Sequence, residues 1–205
     1  MKLVVGLGNP GARYARTRHN VGARIAEQLA RESGIELSQR RFASRFGAGR
    51  LASASEGSAE PCALEIGVLV PQTYMNRSGE AVAEALRALE IADARVDLLV
   101  AVDDLDLPFG KLRIRPRGGL AGHRGLEDIA ERIGTSDFAR LSFGIGRPDA
   151  GSSTVDWVLE PFSADEETAL HERIALAAQA ISVILLEGVT AAMNRYNRDP
   201  GAAGP

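Results

Sequence analysis

The sequence predicts a single α/β domain, a twisted, mixed and mostly parallel sheet flanked by helices on both faces. Two observations carry this. Short apolar runs of strand length alternate with stretches of helical period, and 205 residues that are 45% hydrophobic and 25% charged suit one domain with a sizeable core. The strand-like runs are Leu3–Leu7, Leu64–Val70, Leu98–Val102, Leu112–Ile114 and Leu141–Ile145, and helical periods occupy about 21–33, 79–90, 124–133 and 164–187. The domain is assigned to residues 1–197. The last eight, "RDPGAAGP" (198–205), hold too little apolar surface to offset the entropy of ordering and are expected to be a disordered tail.

The first strand runs into "VVGLGNPG" (4–11), whose Gly6-x-Gly8-x-x-Gly11 matches a dinucleotide-binding fingerprint. That reading needs a helix opening on the glycines and an acid about 20 positions on. Asn9-Pro10-Gly11 is instead a turn signal. The helix is expected later, with Asn20 as N-cap, Val21, Ile25 and Leu29 recurring every four residues and Gly34 as the stop; Glu27 and Glu32 fall on its outer side. What remains is a polar loop, Asn9 to Asn20, holding Arg13, Tyr14, Arg16, Arg18 and His19 without an acid.

The runs "RFGAGRLA" and "CALEIGVLV" read as two neighbouring strands joined by the small, polar "ASASEGSAEP" (52–61). Pro71 ends the second, and the next helix begins around Ser78-Gly79-Glu80. Tyr74, Met75 and Asn76 lie between: Met75 as packing and Asn76 as a turn former, or Asn76 as an amide near a reacting carbonyl. "LLVAVDDLDLPFG" brings Asp103, Asp104 and Asp106 to another strand end. If that strand is a parallel neighbour of the first, a carboxylate stands beside the loop holding His19, and a His–Asp pair for general-base chemistry becomes possible. Alternatively the aspartates only cap the turn before Pro108.

"KLRIRPR" (111–117) alternates Lys111, Arg113, Arg115 and Arg117 with Leu112 and Ile114. At strand period the cations share one face over roughly 20 Å, which suits either a phosphate backbone or a solvated edge. "GGLAGHRGLEDI" (118–129) is a glycine-rich run opening a helix, whose free N–H groups could face an oxyanion unless His123 belongs to the helix start.

Several classes are disfavoured. No apolar run of transmembrane length is read, and the N-terminus enters a strand at once, so no membrane and a cytoplasmic location are expected. Cys62 is alone and cannot form an internal disulfide, and His19, His123 and His171 show no clustered metal-ligand spacing, so no metal is expected. A net charge of −3 argues against wholesale nucleic-acid binding but leaves room for a local basic patch. A G-x-S-x-G nucleophile elbow is missing.

In order along the chain, "VGLGNPGARYARTRHNVG", "PQTYMNRSGEAV", "VDDLDLPFGKLRIR", "GGLAGHRGLEDI" and "FGIGRP" resemble the motifs of the bacterial-type peptidyl-tRNA hydrolases, from residue 1 to about 197. The resemblance implies a single α/β domain that hydrolyses the ester between a peptide and the 3′ end of tRNA, acting as a monomer without metal or cofactor. It implies that His19 is the base and Asp103 its orienting carboxylate. Asn9 and Asn76 match substrate-binding asparagines, Tyr14, Tyr74 and Met75 fall at the same cleft, and His123 matches the peptide-binding side. Arg113 and Arg115 match basic residues that contact tRNA. The glycines then match a turn that presents Asn9.

There are two departures. Arg124 stands where the family usually has asparagine, which bears on how water and peptide are positioned. Ser142 stands where a further basic residue is common, which implies a different electrostatic path for tRNA. Two other classes stay open: a non-catalytic RNA-binding relative resembling the plastid splicing factors, disfavoured by His19, Asp103, Asn9 and Asn76 occurring together, and a nicotinamide oxidoreductase using the Gly6 fingerprint.

Overall fold

The computed structural model describes residues 1–52 and 63–198; Cys62, nearly all of the 52–61 connection and residues 199–205 of the expected tail lie outside them. One seven-stranded sheet organises the described chain, in the order β2-β3-β4-β1-β5-β7-β6. The strands are β1 (Lys2–Gly6), β2 (Gln39–Arg41), β3 (Ser44–Ala52), β4 (Ala63–Pro71), β5 (Leu98–Asp104), β6 (Leu112–Arg115) and β7 (Ala139–Gly144). The central four, β4, β1, β5 and β7, run parallel. Antiparallel pairings flank them, with β3 on β4, β2 on β3, and β6 on β7. The sheet is therefore mixed as expected, and "RFGAGRLA" and "ALEIGVLV" are indeed neighbours.

The period of two in each strand sorts its apolar residues between two cores. On one face Val4, Val68, Leu99, Ala101 and Leu141 pack with α1 (Val21–Glu32), α6 (Ala164–Glu187) and α7 (Val189–Tyr196). On the other, Leu3, Val5, Leu69, Val100 and Val102 pack with α2 (Ser78–Ala88) and α4 (Arg124–Ile133). Two shorter helices, α3 (Ala94–Asp97) and α5 (Thr154–Leu159), complete the set among the described residues. The sequence reading missed β2, α3, α5 and α7; each is short, and none carries a long apolar period.

Close packing accounts for Gly6 and a positive φ of 96° for Gly11. A Cβ on Gly6 would lie 2.4 Å from the Gly22 carbonyl oxygen, and one on Gly22 would lie 2.2 Å from that of Ala101. Neither space exists, so α1 lies directly against the ends of β1 and β5. A three-residue 3₁₀ turn, Arg18–Asn20, leads into α1, so the helix starts well after the glycines, as the turn signal implied.

One expectation is corrected. Helix α6 is long and apolar enough to span a membrane, with a mean hydropathy of 1.5 over its most apolar stretch, half of it buried. It is apolar because it is a core helix: Leu170, Ile174, Ala177, Ala178, Ile181 and Ile184 are buried in the core shared with α1 and α7. Its start is fixed by a capping box, Ser163 accepting from the Glu166 N–H while Glu166 accepts from that of Ser163.

Candidate active site

The parallel strands end on one side of the sheet, and a cavity of about 350 Å³ opens there. Asn9, Tyr14 and His19 reach it from the loop after β1, Tyr74, Met75 and Asn76 from the turn after β4, and Asp103 from β5. His123 and Arg124 enter at the start of α4, Arg115 from β6, and Val155, Val158 and Leu159 of α5 form an apolar wall. All the sequence-predicted site residues meet here except Arg113, which lies on the edge strand β6 opposite Ser142.

The centre is a histidine–aspartate pair separated by 84 residues in sequence. β1 and β5 are parallel neighbours, with Gly6 beside Ala101. Strand period puts Asp103 on the face of Leu99 and Ala101, which α1 covers, and His19 precedes α1. His19 Nδ1 lies 2.8 Å from Asp103 Oδ1. The carboxylate fixes the proton on Nδ1, so Nε2 keeps its lone pair. Asp103 is buried. Burial pushes its carboxyl up, but His19 and His123 more than reverse that and hold it well below the usual carboxylate range.

Asp104 and Asp106 do other work. Asp104 accepts the Asp106 N–H at 2.9 Å, which is the turn role considered from sequence, and Asp106 accepts from Arg147 Nε at 2.8 Å.

His123 is held at both ends of its ring. Nε2 lies 3.0 Å from the same Oδ1 of Asp103, and Nδ1 accepts from the N–H groups of Gly125 and Leu126 at 3.2 and 3.3 Å. This decides one reading left open by the sequence, in favour of His123 as part of the helix start, and corrects one expectation. The first N–H groups of α4 are not free for an oxyanion, because the His123 side chain caps them. The histidines, dispersed in sequence, are also not dispersed in space: His19, Asp103 and His123 bring ligand atoms within 4.8 Å of one another, a grouping that could hold a metal ion. His123 fits that role poorly. Its Nδ1 already accepts two N–H groups, so the ring proton sits on Nε2, the atom a metal would need bare.

The loop before α1 is more tightly held than its composition suggested. Asn20 stands at the N-cap position, but its side chain makes no capping bond. It clamps Asn9 instead, Oδ1 accepting the Asn9 N–H and Nδ2 donating to the Asn9 carbonyl, each at 2.9 Å. Asn9 Oδ1 accepts the Met75 N–H at 2.9 Å, which turns the Asn9 amide so that its NH₂ is the end left for a ligand. Arg18 is buried, its guanidinium 3.6 Å from the Trp157 ring centroid and 3.0 Å from Glu166 Oε2. Arg16 pairs with Glu167. The loop lacks acids in sequence, but helix α6 and its approach supply them in space to Arg18 and Arg16, while Arg13 and Arg16 stay exposed.

Across the cavity, the loop between β6 and α4 carries Gly118, Ala121 and Gly122 at positive φ. Ala121, at 52°, is in a conformation that is costly for a residue with a Cβ. Arg140, buried on β7, ties this loop down through Nη1 to the Gly119 carbonyl at 2.7 Å and Nη2 to that of Gly118 at 2.8 Å. Burial lowers its pKa first, and the nearby charge of Arg115 adds to that. The sequence reading missed Arg140, Arg18 and the clamping role of Asn20; the available signal was an arginine inside the apolar strand "FARLSFGIG".

Comparison with known proteins points to one family. A family model described as peptidyl-tRNA hydrolase matches residues 3–203. Proteins named peptidyl-tRNA hydrolase from Symbiobacterium thermophilum and Chloroflexus aggregans are 45% and 46% identical, covering 96% of this chain and 98% and 99% of their own lengths. A crystal structure of peptidyl-tRNA hydrolase from Acinetobacter baumannii superimposes with a TM-score of 0.83 at 36% identity, covering 96% of this chain and 94% of that one. With the fold, the motif order and near full-length similarity in agreement, the chain belongs to the peptidyl-tRNA hydrolase family.

Proposed function

We propose that this enzyme hydrolyses the ester between a peptide, or an N-blocked aminoacyl group, and the 3′ end of tRNA, freeing the tRNA for reuse in translation, with His19 as general base. The observation that carries this is the His19–Asp103 pair at the cavity, with Nδ1 tied to the carboxylate and Nε2 bare. His19 Nε2 takes a proton from water as the oxygen adds to the ester carbonyl. The tetrahedral intermediate then collapses with loss of the ribose oxygen, which takes the proton back from the imidazolium, leaving a free tRNA 3′ hydroxyl and a peptide carboxylate. Asp103, an anion throughout, stabilises the imidazolium and keeps it oriented.

The Asn9 NH₂ and the exposed amide of Asn76 supply hydrogen-bond donors for the ester and its developing oxyanion. Tyr74 and Met75 form the cleft beside them, Tyr14 faces it from the first loop, and Arg124 approaches the peptide or the terminal nucleotide. Arg113 and Arg115 take the acceptor-stem phosphates. The enzyme works as a cytoplasmic monomer without cofactor or metal.

The test is hydrolysis of N-acylated aminoacyl-tRNA by the purified chain after EDTA treatment, with magnesium effects on tRNA folding controlled separately. Full release of the N-acylated residue, with unblocked aminoacyl-tRNA spared, is the expected result. Loss of activity restored by one specific transition metal contradicts the metal-free mechanism, and inactivity under all conditions contradicts the reading itself.

A further inference from the structure

Two imidazoles converge on one oxygen of Asp103, and only one of them keeps a ring nitrogen without a hydrogen-bond partner. The rings lie 5.0 Å apart, and both contacts, 2.8 Å from His19 and 3.0 Å from His123, fall on Oδ1. His123 Nδ1 faces two backbone N–H groups at the positive end of a helix, so adding a proton there would both break the cap and place like charge against the helix dipole. His123 Nδ1 is therefore occupied as an acceptor and its Nε2 faces Asp103, whereas His19 has an open nitrogen.

We propose that His123 is a positioning residue that restrains the basicity of His19: by donating to the oxygen on which His19 depends, it withdraws negative charge that would otherwise hold the His19 imidazolium. A general base works best when its pKa is close to the operating pH, and a buried carboxylate alone tends to push a histidine above that point. The second donor counteracts this while keeping the carboxylate fixed. The proposal rests on reading His19 as the base and adds what sets its strength.

Other charges near the pair have partners or line the same cavity. Asp104 and Asp106 follow on β5 and its turn, with Asp106 paired to Arg147. Arg18, on the turn of His19 itself, is paired with Glu166 and Glu160. Arg13 lies over the Tyr14 ring, Arg124 follows His123 at the start of α4, and Arg115 and Arg140 also line the cavity.

The test is the NMR titration of the His19 imidazole in wild type and in His123→Asn, a chain with only three histidines to assign. Asparagine is a good N-cap and keeps α4 started, but its side chain ends short of the position of Nε2 and cannot reach Asp103. His19 is expected to titrate at higher pH in the variant, because Asp103 Oδ1 then keeps the charge that His123 had drawn on. Because only unprotonated His19 accepts a proton, the acidic limb of the kcat/KM profile moves up in pH by the same amount. In an Asp103→Asn background the substitution should leave the His19 titration unmoved, since the shared acceptor is gone.

His123→Ser, which also caps but cannot reach, provides the second variant. An unmoved or lowered His19 titration in both folded variants overturns the proposal. A raised titration with an unmoved kinetic limb overturns instead the assignment of His19 as base.

Discussion

The centre of the sheet and its β6 edge handle polar groups in opposite ways. At the ends of β1 and β5, Asp103 and Asn20 are buried and His19 nearly so, and each is held by side-chain hydrogen bonds from a different segment of chain. At the edge, β6 pairs with β7 alone and turns Arg115 to solvent, while Leu112 and Ile114 face the core. The alternating cations continue only to Arg115 within the strand; Arg117 lies beyond its end. Buried polar groups lose water and must be satisfied in one geometry, so they suit chemistry, where small displacements are costly. Exposed cations are screened and mobile, which suits sequence-independent attraction to phosphates and little else.

The largest effects are expected at the centre. His19→Ala should fold normally and lose roughly 10² to 10⁴-fold in kcat, the usual contribution of a general base, with Asp103→Asn losing a smaller part because it only orients and stabilises His19. Circular dichroism alongside steady-state kinetics checks both. Wild-type turnover in His19→Ala removes the base from the account.

Asn20→Ala comes next. It removes the two hydrogen bonds that hold the Asn9 backbone, and a displacement of about 1 Å at a reacting centre can cost up to about 10²-fold. A tenfold or greater fall in kcat with KM for tRNA unchanged is expected. If Asn20→Ala instead changes only thermal stability, the clamp is structural and the centre tolerates more movement than its hydrogen bonds imply.

The edge should respond least, and in a different parameter. Arg113→Ala or Arg115→Ala should raise KM for tRNA substrates with little change in kcat, and flatten the salt dependence by about 0.7 to 0.9 log units per decade of salt for each phosphate no longer neutralised. Binding titrations across salt concentrations read this directly. An unchanged KM and salt slope in both variants reduces β6 to a solvated edge strand.

The difference between the two regions also governs what can be read from sequence. Asp103 is legible because it stands where an apolar run stops, and His19 because it lies in the polar loop that follows another such run; parallel neighbours place both stops at one edge of a sheet. The basic alternation of β6 is legible because strand period alone sorts its faces. The contacts that immobilise the centre are not. Arg18 looks like any loop cation until Trp157 and Glu166, about 140 residues later, fold against it. Asn20 carries the signature of an N-cap, and only the close approach of α1 to β1 redirects its side chain to Asn9. Resemblance puts His123 at the peptide-binding side but does not tell that its ring joins a helix cap to Asp103. Each of these depends on how separate elements pack in space, which local pattern does not encode.

The most direct test of the division between chemistry and attraction is a crossed single-turnover experiment. Wild type, His19→Ala and Arg115→Ala are compared on full-length N-acyl-aminoacyl-tRNA and on a short 3′ fragment bearing the same ester, each at saturating and at limiting enzyme. His19→Ala is predicted to lose at least about 10²-fold on both substrates at saturation, while Arg115→Ala is impaired only on full-length tRNA and only at limiting enzyme. Equal impairment of Arg115→Ala on the fragment, or a His19→Ala rate matching wild type, would contradict that division.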